Sequence, residues 1–135
     1  MTIKFAKRLF FGAGLYGIAV LAPMLFMEGV IDEYDPPSIT HAEFYYGFVC
    51  TALAWQLVYL MMFRDPIRFR PMLIPAIIGK AGFASAAYSL FFQGRLAGRN
   101  LFFPSTDLVL AALFVWAYVA LEVHAKRQAH LDSSQ

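Results

Sequence analysis

Charge is scarce in this chain. Asp, Glu, Lys and Arg make up 15% of its 135 residues, against about a quarter in soluble domains. With 60% of residues hydrophobic and 17% aromatic, a water-soluble fold of this size would be left with extended apolar surface, a difficulty that a lipid bilayer removes. Cysteine is nearly absent. The single Cys50 excludes an internal disulfide, and no Cys/His set has zinc spacing, so neither a metal nor a cofactor is expected. A basic excess is also lacking. The formal charge is +2 and the basic residues are scattered, which argues against nucleic acid as a partner. No internal repeat, low-complexity segment or lipidation signal is present. The length accommodates one integral membrane domain over residues 1–135 and no separate soluble one.

What the chain does have is four long apolar runs. A membrane-crossing helix needs about 20 mostly apolar residues. Leu9 to Met27 and Phe44 to Phe63 are free of charge, and Pro71 to Gln93 is broken only by Lys80. Leu108 to Leu121, LVLAALFVWAYVAL, is shorter but apolar all round, whereas a soluble amphipathic helix would keep a polar stripe. These runs predict an all-α, four-helix transmembrane bundle with spans at about 9–28, 43–63, 71–93 and 107–124. The first span follows basic residues as a signal peptide does. Its apolar centre is too long for one and no small-residue cleavage site follows, so it is read as retained. Lys4, Lys7, Arg8, Arg64, Arg68, Arg70, Lys126 and Arg127 fall on one side of this layout, and only Arg95 and Arg99 on the other. The positive-inside rule then places both termini in the cytoplasm, the chain being multi-pass in a cell inner membrane.

Punctuation agrees with the spans. Asp35-Pro36-Pro37-Ser38 predicts a non-helical turn. Thr40-His41-Ala42-Glu43 fits a capping box for span two. Asp65-Pro66 and Pro104-Ser105-Thr106-Asp107 fit N-caps before spans three and four.

Lys80 is the most informative residue. A lone ammonium near mid-bilayer costs about 2.5–3.5 kcal/mol on insertion scales, so something must offset it. Ala76, Ala84 and Ala87 share its helix face, which predicts that this face meets another helix. Gly82, Ser85 and Ser89 form a second small stripe opposite, so span three is expected between two neighbours, with Ile74, Ile77 and Tyr88 turned to lipid. Counted at about 1.5 Å per residue, Lys80 lies roughly 13 Å deep and Gln56, Tyr16 and Tyr118 roughly 9–11 Å. A binding cluster of Lys80, Gln56, Tyr16 and Tyr118 is therefore in reach, and no carboxylate is expected at that depth. Three roles stay open for Lys80: a binding or proton-handling group, a snorkelling or packing lysine, and the partner of an acid on another subunit.

Other candidates have plainer readings. Glu28, His41, Glu43 and Asp107 fall at the outer ends of the spans, where such groups can hold a cation or supply acid–base chemistry. His41 and Glu43 are two apart and share no helix face, and Glu43 and Asp107 are accounted for as caps. Arg64, Arg68 and Arg70 are placed for contact with anionic lipid headgroups. Gly12-Ala13-Gly14-Leu15-Tyr16-Gly17 matches a dinucleotide fingerprint by letter only. Inside an apolar span these glycines read as close helix packing.

His41-Ala42-Glu43-Phe44-Tyr45-Tyr46-Gly47-Phe48, with Trp55-Gln56, Arg64-Asp65-Pro66, Arg68-Phe69-Arg70-Pro71 and Lys80, resembles a group of small four-span bacterial membrane proteins of DoxX-like layout. The likeness covers roughly residues 41–121. It implies a bacterial inner membrane and four helices and supplies no reaction. Two places depart from the pattern. Ala42 stands where a proline usually follows the histidine. Gly79 stands where an acidic residue usually precedes the lysine, which removes the counter-ion that the pattern would provide. The function expected first is a non-catalytic accessory or scaffold subunit of a larger membrane complex, with lipids and other membrane subunits, or a second copy, as partners. The alternatives are a small transporter or ligand-binding protein using Lys80, and a membrane enzyme acting on a lipid or isoprenoid through His41 and Glu43.

Overall fold

A computed structural model describes residues 2–35 and 37–133, without the side chain of Asp132. Among the described residues there are five α-helices and no strand. They are α1 (Ile3–Met24), α2 (Glu28–Tyr34), α3 (Ala42–Arg64), α4 (Leu73–Phe92) and α5 (Phe102–Asp132), with single 3₁₀ turns at Arg70–Met72 and Gly98–Leu101. Four helical segments, all but the seven-residue α2, are long and apolar enough to cross a membrane. Their exposed side chains include Phe11, Phe48, Leu57, Ile78, Trp116 and Val119. This is the layout of an all-α, multi-pass membrane protein. The chain divides into two compact units, Lys7–Arg64 and Met1–Ala6 with Asp65–Gln135.

In the first unit α1 and α3 meet through glycine. A Cβ on Gly14 would stand 3.0 Å from Leu60 and 3.2 Å from the Gln56 carbonyl, and one on Gly17 would collide with the Gln56 side chain. Gly12 has open space around it. Of the three letter-matched glycines, Gly14 and Gly17 therefore bring the backbones together, and Gly12 does not. Gln56, buried at that contact, gives its Nε2 hydrogen to the Ala52 carbonyl at 2.7 Å.

The outer end of this unit differs from the expected turn. Pro23 sits in the last turn of α1, and Leu25, Phe26 and Met27 bond back three residues to close the helix. The acidic stretch that follows forms α2 before the bend at Asp35. Pro36, in the predicted turn, lies outside the described residues. Asp32 Oδ1 accepts the Ile39 N–H at 2.6 Å and holds the return segment. At α3 the His41 carbonyl accepts the first helical N–H groups, from Phe44 and Tyr45, and the Glu43 carboxylate turns to His41 Nδ1 at 3.4 Å. The capping box thus resolves into a histidine at the cap position.

In the second unit α4 and α5 pair antiparallel. Asp65 accepts the Arg68 N–H at 3.1 Å, which caps a tight turn rather than α4 itself. Pro75 falls in the first turn of α4, where its missing N–H leaves no bond unmade. The helix ends in a Schellman motif: Gly94 takes φ +70°, its N–H bonds the Phe91 carbonyl and the Arg95 N–H bonds the Leu90 carbonyl. The buried row of α4 is Leu73, Ala76, Ala84 and Ala87, and that of α5 is Ala111, Phe114, Ala117 and Leu121. The predicted contact face of span three is therefore the packed one. The predicted lipid face is only partly so. Ile74 is exposed, while the Tyr88 hydroxyl shares a hydrogen bond with Ser105 Oγ at 2.8 Å.

Span four lies within a longer helix, and its predicted cap is corrected. Expected from residue 107, the helix begins at Phe102 and runs 31 residues. Pro104 starts it from within its first turn. Ser105 and Thr106 do not cap it but bond back to the carbonyls of Leu101 and Phe102 at 2.6 and 3.0 Å.

The Gly17 contact yields a direct test. Gly17→Ala puts a methyl group where the buried Gln56 amide lies and is expected to cost about 1–2 kcal/mol. Gly12→Ala, in open space, should leave stability unchanged or raise it slightly. Thermal unfolding of both variants in detergent checks this, and equal melting temperatures would refute the close contact.

Candidate functional site

Lys80 lies in the middle of the α4 row, between Ala76 and Ala84. Its Nζ donates to Asp107 Oδ1 at 2.6 Å, with side chains only 12% and 23% exposed. Asp107 does not cap span four. Because α5 starts at Phe102, Asp107 lies more than a turn inside the helix, on the row that continues through Ala111 and Phe114. The carboxylate absent from the expected depth is thus supplied by a residue that had been placed at the outer surface. Its signal was in the sequence: Pro104, Asp107, Ala111 and Phe114 follow at intervals of three and four, so Asp107 belongs to the contact row as a matter of spacing.

The chemistry follows from burial. Each charge alone in an apolar seam is costly, while together they form a charge-assisted hydrogen bond with no net charge. The alanines on α4 let the two helices approach closely enough for the lysine to reach. Farther along the seam, Tyr88, Ser105 and the Leu101 carbonyl continue the polar contact. At the other end of the seam Arg70 Nε donates to Glu122 Oε2 at 2.8 Å and its guanidinium also bonds the Ile67 carbonyl at 2.9 Å. Lys126 stands 3.7 Å from the other oxygen of Glu122. Between the two ion pairs the seam is apolar.

The remaining candidates sort by unit. Gln56 and Tyr16 belong to the first unit, Lys80 and Tyr118 to the second. Tyr118 is eleven residues from Asp107, about 16 Å along the helix, so the Lys80–Asp107 bond aims the amine away from that tyrosine. The Tyr16 hydroxyl is buried and takes no hydrogen bond among the described residues. Glu28 accepts from the Tyr46 hydroxyl at 2.7 Å, and the neighbouring Tyr45 hydroxyl donates to the Met24 carbonyl at 2.7 Å. Neither tyrosine was a candidate, although both stand in the motif that carries the resemblance. His41 and Glu43 form an exposed pair, close because His41 precedes the helix rather than lying on its face. Arg64 is exposed at the end of α3, Arg68 lies over the Phe69 ring at 5.5 Å, and Arg70 is committed to Glu122. Among the described residues no three His, Cys, Asp or Glu side chains gather as a metal site.

Comparison with protein-family models, with characterised proteins and with solved structures gives no match for this chain.

Breaking the central pair is the test of its role. Lys80→Met takes the ammonium from Asp107 and Asp107→Leu takes the carboxylate from Lys80, and each should destabilise by about 3–5 kcal/mol. The double variant Lys80→Met/Asp107→Leu should recover most of that loss. Thermal melts of the four proteins in detergent form a double-mutant cycle, and additive losses would show that the two groups do not act on each other.

Proposed function

We propose that this protein is a non-catalytic accessory or scaffold subunit of a larger membrane assembly, held in a bacterial inner membrane with both ends on the cytoplasmic side. The observation that carries the proposal is the second face of α4. Pro75, Gly79, Gly82, Ala86, Ser89 and Gln93 follow at intervals of four and three, and all are exposed. A Cβ at Gly79 or Gly82 would meet nothing within 4 Å. Small residues at this spacing let a second helix backbone approach closely in lipid. The opposite small-residue face of the same helix already serves that purpose, with α5 against it. A helix of another chain fills the open face in the same way.

A second reading, a small transporter or small-molecule-binding protein, draws on the Tyr16 hydroxyl. A buried group without a partner is a cost that a polar ligand would offset. This reading expects a chain that is stable without other subunits.

Native purification in mild detergent separates the two. The subunit reading expects the chain to migrate with another membrane protein. Gly79→Leu and Gly82→Leu should each release that partner by at least about tenfold in retained fraction, while the free chain melts as the parent does. A clean monomer from native membranes, stable alone, would overturn the proposal and favour the second reading.

A further inference from the structure

We infer that the end of α5 beyond Glu122 binds one anionic phospholipid, with its phosphate on Lys126 and Arg127 and an acyl chain along the exposed face of the same helix. This rests on the membrane-spanning reading and not on the assembly reading. Val109, Ala112, Trp116, Val119 and Val123 form a row at intervals of three and four, all exposed. The next steps of the row are Lys126 and His130, with Arg127 beside them, also exposed. One uninterrupted helix face therefore changes from apolar to basic within a single turn. At the change Val123, Lys126, Arg127, His130 and Leu131 form one open, largely apolar surface with the charged ends at its edge.

Height along the helix selects a lipid as the occupant. The Arg70–Glu122 pair closes the apolar seam and marks its polar end. At about 1.5 Å per residue, Lys126 and Arg127 lie roughly 6–8 Å beyond Glu122, which matches the thickness of one headgroup layer, about 5–8 Å. Helical side chains lean toward the N-terminus of their helix, here back toward the membrane. Arg127 presents a fork that suits a phosphate, and Lys126 adds a point charge. The 3.7 Å contact of Lys126 with Glu122 involves a lysine side chain that is 76% exposed, and so loose a pair exchanges readily for a phosphate oxygen. Zwitterionic lipids carry an ammonium beside the same phosphate, which faces the same basic surface and makes them the weaker ligands there.

Native mass spectrometry of the full chain in detergent, with phosphatidylglycerol or phosphatidylcholine of matched acyl chains, tests this. The parent should prefer phosphatidylglycerol. Lys126→Ala/Arg127→Ala should lose about thirtyfold in that preference, Lys126→Arg should retain it, and Arg95→Ala, at an exposed arginine near the other end of the pair, should leave it unchanged. Glycerol 3-phosphate at matched concentration should not displace the lipid. Equal binding of both lipids, an unchanged preference in the Lys126/Arg127 variant, loss in the Arg95 variant, or displacement by glycerol 3-phosphate would each overturn the inference. A protein co-purifying through Lys126 and Arg127 in place of lipid would also overturn it. A chain that stays soluble without detergent would instead refute the membrane-spanning reading itself.

Discussion

An ammonium and a carboxylate 2.6 Å apart, set into a seam of small side chains, constrain how α4 and α5 can lie together. In lipid there is no hydrophobic force pressing two helices into contact, because the tails are as apolar as the side chains. Association must come from close packing and from polar groups that have nowhere better to go. The alanines supply the first and Lys80–Asp107 the second. The pair also fixes register. Rotating or sliding either helix by one residue turns its charge about 100° away from its partner, and the apolar rows on either side cannot compensate. The second ion pair, Arg70–Glu122, ties the 3₁₀ turn before α4 to α5 at the far end of the seam, where both side chains are more exposed than those of the central pair.

Much of this was legible from spacing. The four apolar runs gave the membrane-length helices, the position of Ala76, Ala84 and Ala87 gave the packed face of α4, and the glycine pattern of α1 gave a close helix contact. What spacing could not settle were competitions between local and distant partners. Asp107 follows Pro-Ser-Thr and looks like a cap, but Phe102 and Phe103 belong to the helix as well, so the start moves outward and the acid moves inward. Arg70 looks like a headgroup contact until α5 brings Glu122 to it from 52 residues away. The helix α2 is seven residues long, too short for a period, and its acidic composition reads equally well as loop. Tyr45 and Tyr46 lie in an aromatic stretch whose letters report apolar character, while their hydroxyls do the connecting at Met24 and Glu28.

The two long helices of the second unit use their outward faces differently. On α4 that face is small-residue and flat, which suits a helix. On α5 it is aliphatic with Trp116, whose ring lies 6.1 Å from Phe5, and it becomes basic at one end. One pair of helices thus presents two outward faces of different chemistry, while the seam between them accommodates the charge that would otherwise need shielding.

The sequence separation within the central pair bears on biogenesis. Asp107 follows Lys80 by 27 residues, so at about 5–20 residues per second the counter-ion leaves the ribosome roughly one to five seconds after the lysine. Until then α4 is a poor candidate for release into the bilayer. The economical route is for α4 to wait at the translocon and to enter together with α5 as a preformed hairpin, its ion pair assembled before either helix meets the hydrocarbon.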